Sequence, residues 1–144
     1  MSQYIGLDVG DKRVGIAVSD QSHKIAFALG VVERHGGSYG FNKIKKLICE
    51  KDVEAFVVGI PLNRGGGHGI QSEKVLEYIE AMKSYFHINV IPWDERFTTV
   101  IAESSLREMN IPHKNAKDVI DAISAQLILQ SYLDHINDDH INDH

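Results

Sequence analysis

The sequence predicts one α/β domain whose sheet begins antiparallel and ends parallel. Three observations carry this. The opening run YIGLDVGDKRVGIAVSD, Tyr4 to Asp20, alternates apolar residues about a turn: Ile5, Leu7 and Val9 lead up to it, and Val14, Ile16 and Val18 lead away. Two later apolar runs rich in β-branched residues are each followed by a helical pattern, which implies parallel crossovers. The length of 144 residues supports one respectable core.

Taken in order, the elements read βββαβαβαα. After the hairpin, KIAFALGVVER is a third strand that ends at the Gly36-Gly37 break. YGFNKIKKLICEK places Phe41, Ile44, Leu47 and Ile48 at helical spacing, with Cys49 beside them as a packed residue. EAFVVGIPL is a buried strand, stopped by Pro61 and the glycine-rich NRGGGHG. SEKVLEYIEAMKSYF aligns Val75, Ile79, Met82 and Phe86 on one stripe, as a helix packed on a sheet does. INVIPW is the last strand, and Trp93 in it is a core residue. TTVIAESSLREM is a helix with Thr98 or Thr99 as N-cap. AKDVIDAISAQLILQSYLDHI is a long final helix. With no internal linker, residues 1–134 form the domain and 135–144 a solvated tail expected to fray.

Composition narrows the class. Hydrophobic residues make up 43% and charged residues 24%, as in soluble globular proteins. No apolar run is long enough to span a bilayer, the start MSQYIG lacks signal-peptide regions, and a single cysteine excludes an internal disulfide framework. These features predict a cytoplasmic protein without a membrane partner. The net charge of −5 argues against nucleic acid until its distribution is considered. The last eleven residues, DHINDDHINDH, hold four of the 20 acidic residues and no Lys or Arg, so 15 basic residues face 16 acidic ones elsewhere.

Three acidic positions stand out. Asp8 interrupts a strand where Val or Thr would be expected. Asp94 and Glu95 directly follow INVIPW, at the carboxyl end of a strand, where sites form in such sheets. Asp121 shares a face of the final helix with Ser124, Ala125 and Ile128, a small apolar stripe that should approach the sheet closely. Each acid alone has a plain explanation: a turn, a helix dipole, an exposed helix edge. Together they can meet at one point. Hard oxygen donors of this kind suit Mg²⁺ or Mn²⁺ rather than zinc. Two such ions, about 3.5–4 Å apart, would clamp the attacking and leaving oxygens of a phosphodiester.

The blocks GLDVGDKRVGIAVSD, VVGIPLNRGGG, DERFTT and DAISAQLILQSYLD, in this order, resemble the YqgF/RuvX family of pre-16S rRNA nucleases and Holliday junction resolvases. The resemblance implies an RNase H-like fold with a five-stranded mixed sheet, and a metal-dependent nuclease. It implies that Asp8, Glu95 and Asp121 are the catalytic, metal-binding acids. Of the neighbours Asp94 and Glu95, which face opposite sides of a strand, the family pattern selects Glu95. Asp118 reads as solvated. Cleavage leaving a 5′-phosphate and a 3′-hydroxyl is implied in the same way.

Substrate contacts follow from the basic residues near these acids. Lys12 and Arg13 sit in the hairpin turn beside Asp8, and Arg96 adjoins Glu95. Arg64 lies in the glycine-rich loop, whose backbone N–H groups can cradle an anion. Lys114 and Lys117 flank the start of the final helix. The partners expected are precursor ribosomal RNA or structured DNA, and the small ribosomal subunit precursor, bound by a monomer or homodimer. Two other classes compete. An actin-like phosphotransferase also opens on a strand with Asp-x-Gly, but needs two such domains. A non-catalytic module that binds ribosomal RNA would fit the weak basicity.

Overall fold

The hairpin forms in the register that the alternation predicts. In the computed structural model, which describes residues 2–35, 38–61, 70–94 and 116–141, β1 (Gln3–Val9) and β2 (Arg13–Ser19) pair antiparallel, with Ile5 opposite Val18, Leu7 opposite Ile16 and Val9 opposite Val14. A tight turn closed by the Gly10 N–H donating to the Arg13 carbonyl (2.8 Å) joins them. β3 (Ala26–Glu33) continues the antiparallel unit, with Leu29 of β3 as an extra, bulged residue opposite Ile16 and Ala17 of β2. β4 (Val53–Ile60) and β5 (Val90–Asp94) add in parallel on the other side of β1, so the sheet order is β3-β2-β1-β4-β5.

Alternation divides the chain between two faces of this sheet. On one face Ile5, Leu7, Val14, Ile16, Phe56, Val58 and Val90 pack against α1 (Phe41–Leu47) and α2 (Ile70–Phe86) through Phe41, Ile44, Val75, Tyr78, Ile79 and Met82. This is the larger core. At tens of apolar Å² per side chain and about 25 cal/mol per Å², it supplies most of the driving force for folding. On the other face a smaller cluster joins Ala17, Ala26 and Val57 to Ala125, Ile128, Leu129 and Leu133 of α3 (Ala116–Ile141). There the residues are small and the helix sits close. A Cβ on Gly6 would lie 2.7 Å from the Leu129 Cβ, and one on Gly15 only 1.9 Å from the Asp121 carbonyl oxygen.

Two expectations change. Cys49 does not pack. Helix α1 stops at Leu47, where the Ile48 N–H caps it on the Ile44 carbonyl (3.1 Å), and the chain turns with Ile48 buried and Cys49 exposed. The boundary at residue 134 falls inside a continuous helix, because α3 runs on to Ile141. Its last turns have something to hold: His135 lies against the Trp93 ring (5.1 Å between centroids), Ile136 packs on the smaller cluster, and the Asn137 amide donates to the His23 carbonyl (3.0 Å). Trp93 is half-buried and donates from Nε1 to the Ser131 hydroxyl (3.1 Å). The helix expected over residues 98–109 lies outside the described residues, so three helices are seen among those described.

Candidate active site

Asp8 is the fourth residue of the alternating run Ile5–Val9, and the period of two gives it the face opposite Leu7 and Val9. It therefore faces α3, at the carboxyl end of β1, and is partly buried. Its cross-strand partner is Gly15. The choice of glycine there has a reason that involves Asp121. The backbone of α3 passes so close that a Cβ on Gly15 would collide with the Asp121 carbonyl carbon at 2.4 Å and its oxygen at 1.9 Å. Asp121 is thus seated directly over the strand pair that carries Asp8. The backbones of two acids 113 positions apart in the sequence are thereby brought to one place on the sheet.

Arg13 joins them. It opens β2 on the same face as Gly15, two residues away, which makes it a diagonal neighbour of Asp8 on the adjacent strand. Its Nε donates to the Asp121 Oδ2 at 2.9 Å, with the two side chains 27% and 24% exposed. A guanidinium in this position offsets the charge of carboxylates that would otherwise repel one another at the sheet edge. Lys12, in the turn, is exposed. The turn itself is braced from behind: Arg34 donates to the Gly10 carbonyl (2.6 Å) and the Ser38 carbonyl (2.8 Å), and its guanidinium lies over the Tyr39 and Tyr78 rings. Tyr78 is buried and donates to the Tyr39 carbonyl (2.7 Å), and that burial pushes its phenol well above the ordinary range.

The remaining predicted positions divide into two groups. Asp94, the last residue of β5, follows Trp93 and Ile91, which face α3, so alternation gives it the face of Val90, away from Asp8. Glu95, Arg96, Arg64 and Lys114 lie outside the described residues, as do the side chains of Lys117 and Asp118. Among the described residues no three histidine, cysteine or carboxylate side chains converge. The donor set they do contain is two carboxylates at one strand end, already attended by a cation. Hard oxygen donors in that charge setting fit a divalent ion such as Mg²⁺ or Mn²⁺.

Two features were missed in reading the sequence. Gly6 and Gly15 set the closeness of α3, and their signal was glycine inside a strand pattern. The glutamines of α3 also hold the sheet edge: the Ala26 N–H donates to Gln130 Oε1 (2.8 Å), and Gln126 Nε2 donates to the Ala26 carbonyl (3.1 Å).

A mixed five-stranded sheet in this order, with a final helix packed closely over β1 and β2, is the RNase H-like fold. The chain belongs to the RuvX family, described as Holliday junction resolvase, whose model matches residues 2–135. It is 45% identical over 133 residues to a protein of Thermoanaerobacter pseudethanolicus named "Putative pre-16S rRNA nuclease", covering 92% of this chain and 96% of that one. A protein of the same name from Clostridioides difficile is 43% identical over 132 residues, with 92% and 94% covered. Among solved structures, the Fowlpox virus resolvase in complex with Holliday junction DNA shares the fold, with a TM-score of 0.55 at 11% identity over 93% of this chain and 98% of that one. No helix among the described residues is long and apolar enough to cross a membrane.

Proposed function

We propose that the chain is a divalent-metal-dependent endonuclease that hydrolyses phosphodiester bonds and trims the 5′ end of precursor 16S ribosomal RNA. The observation that carries the reading is the seating of Asp121 over Gly15, the strand partner of Asp8. A partly buried carboxylate set there beside a second one calls for a compensating cation. Asp8, Glu95 and Asp121 are the proposed ligands. Glu95 rather than Asp94 is the third, because alternation from Trp93 turns Asp94 toward the other face. Mg²⁺ or Mn²⁺, as two ions, would supply the Lewis acidity for attack of water on phosphorus. The protein's own part is to fix the acids on rigid elements, with β1 and α3 in backbone contact, and to hold the substrate backbone through Lys12, Arg13, Arg64, Arg96 and Lys117. The products would carry a 5′-phosphate and a 3′-hydroxyl. The names of the relatives favour ribosomal RNA, and with it the cytoplasm and the small-subunit precursor as setting.

A second reading, cleavage of branched DNA, has the family description in its favour. It requires a symmetric dimer that sets two sites on opposed strands, whereas trimming RNA needs only one site. One assay separates them. Purified protein with Mg²⁺ or Mn²⁺ is offered precursor 16S RNA, unstructured RNA and a four-way DNA junction. Cutting of the precursor at its 5′ side is expected, with loss of at least 10³-fold, an order-of-magnitude figure for removing a ligand of the catalytic charge cluster, in Asp8→Asn. Retained cutting by that variant overturns the assignment of Asp8. Cutting of the junction alone makes DNA the substrate.

A further inference from the structure

The pairing of Arg13 with Asp121 raises a conflict. The same carboxylate is a proposed ligand for a cation, and the same guanidinium is a proposed contact for phosphate, yet here each engages the other at 2.9 Å. We propose that Arg13 is a stand-in cation: it holds Asp121 in the metal-free protein, yields that carboxylate when a divalent ion binds, and passes to a phosphate of the nucleic acid. The inference rests on the metal-dependent reading above.

Three observations support the exchange. Arg13 is placed among the acids by strand register, diagonal to Asp8 and on the face of Gly15, so its approach is built into the hairpin. The pair is partly shielded, which keeps its attraction from being lost to solvent and salt. The contact with Asp121 is made by Nε, and a guanidinium released from it presents a fork that matches phosphate oxygens. The chemistry is a swap of ion pairs, with no bond made or broken. Without any cation at this point, Asp8 and Asp121 would repel each other as α3 docks. With the guanidinium there, α3 seats before metal arrives, and the guanidinium is then next to the substrate rather than in bulk solvent. Arg13 is in this account a positioning residue before metal binds and a substrate contact afterwards.

The exchange has a thermodynamic signature opposite to that of an ordinary structural arginine. Breaking the Arg13–Asp121 contact subtracts from metal affinity, so its removal should tighten metal binding even as it loosens the metal-free fold. Mn²⁺ titration by electron paramagnetic resonance or calorimetry is expected to give roughly two- to fivefold tighter binding in Arg13→Gln, the range one partly exposed ion pair commands. The same variant should melt lower than wild type without metal and recover more of the difference when Mg²⁺ is added. With Ca²⁺ present, its affinity for single-stranded RNA should fall and its salt slope shrink by about 0.7; without divalent ions the two proteins should bind RNA alike.

If Arg13→Gln does not fold, the wild type still answers. The ¹H–¹⁵N resonance of the Arg13 Nε–H should shift on titration with Mg²⁺ as its acceptor changes, and Arg13→Lys should show intermediate Mn²⁺ affinity. An Nε–H signal unmoved at saturating Mg²⁺ overturns the proposal, as does Mn²⁺ binding unchanged or weakened in Arg13→Gln. Failure of the underlying reading looks different: wild type, Asp8→Asn and Asp121→Asn would then bind Mn²⁺ equally weakly.

Discussion

At Gly15 a single missing methyl group decides where the proposed metal-binding carboxylate of Asp121 sits. An added Cβ would fall 1.9 Å from the Asp121 carbonyl oxygen, a backbone atom that cannot swing aside. Gly15→Ala should therefore displace α3, with a stability loss of about 1–3 kcal/mol by denaturant melting, typical of overpacking, and a larger loss of cleavage than of RNA binding. Asp20 is a second residue whose role is local. It accepts from the Ser22 hydroxyl, and from the backbone N–H groups of Lys24 (2.8 Å) and Ile25 (3.0 Å), so its carboxyl is lowered from 3.8 to about 2, with the Ser22 bond the largest cause. A carboxyl lowered in the folded state contributes stability that is present above about pH 4 and disappears as pH falls toward 2. In Asp20→Ala, the Lys24 and Ile25 amides should exchange faster at pH 7, and the melting difference from wild type should vanish near pH 2. The residue scale is also where the sequence spoke most clearly: Asp8 in an apolar run and Asp121 on a small-residue stripe were legible because each violated its surroundings. Gly15 was not, since a strand glycine does not say what approaches it.

Among elements, α3 does more than cover a face. It carries Gln126, Gln130 and Asn137, whose amides meet the backbone of residues 23–26 where β3, the edge strand, begins. Side chains of a helix thereby complete a sheet edge that would otherwise be open to pairing. Gln130→Leu leaves the Ala26 N–H without the acceptor it now has at 2.8 Å. The expected cost is about 1–3 kcal/mol, read as a lower melting temperature and faster hydrogen exchange at Ala26 than at Ala17 in the strand interior. Among the described residues, element types and order followed from periodicity, because strands and helices longer than about five residues repeat their pattern enough to be counted. The end of α1 did not, because Cys49 and Ile48 both look apolar and only the capping turn tells which of them is inside.

At the scale of the molecule, the described residues form two cores of unequal character, one wide and built of aliphatic and aromatic side chains beneath α1 and α2, the other narrow beneath α3. The first copy of the terminal DHIND repeat meets the second core and its surroundings through His135, Ile136 and Asn137 of α3. Its composition, acidic and rich in histidine, reads as a solvated tail; its contacts with Trp93 and His23 depend on residues far away in the chain, which no local pattern encodes. Truncation after Asp134 should therefore lower stability by about 1–3 kcal/mol, judged from the loss of one apolar contact, one ring contact and one hydrogen bond. An unchanged melting temperature would return the segment to the status of a tail.

The contact of backbone with backbone at Gly15 has a consequence for how such a protein can vary. A gauge made of main-chain atoms keeps its setting whatever side chains are exchanged elsewhere. Volumes beneath α1 and α2 are then free to drift, while the approach of α3 to β1 and β2 stays fixed so long as Gly6 and Gly15 lack a Cβ.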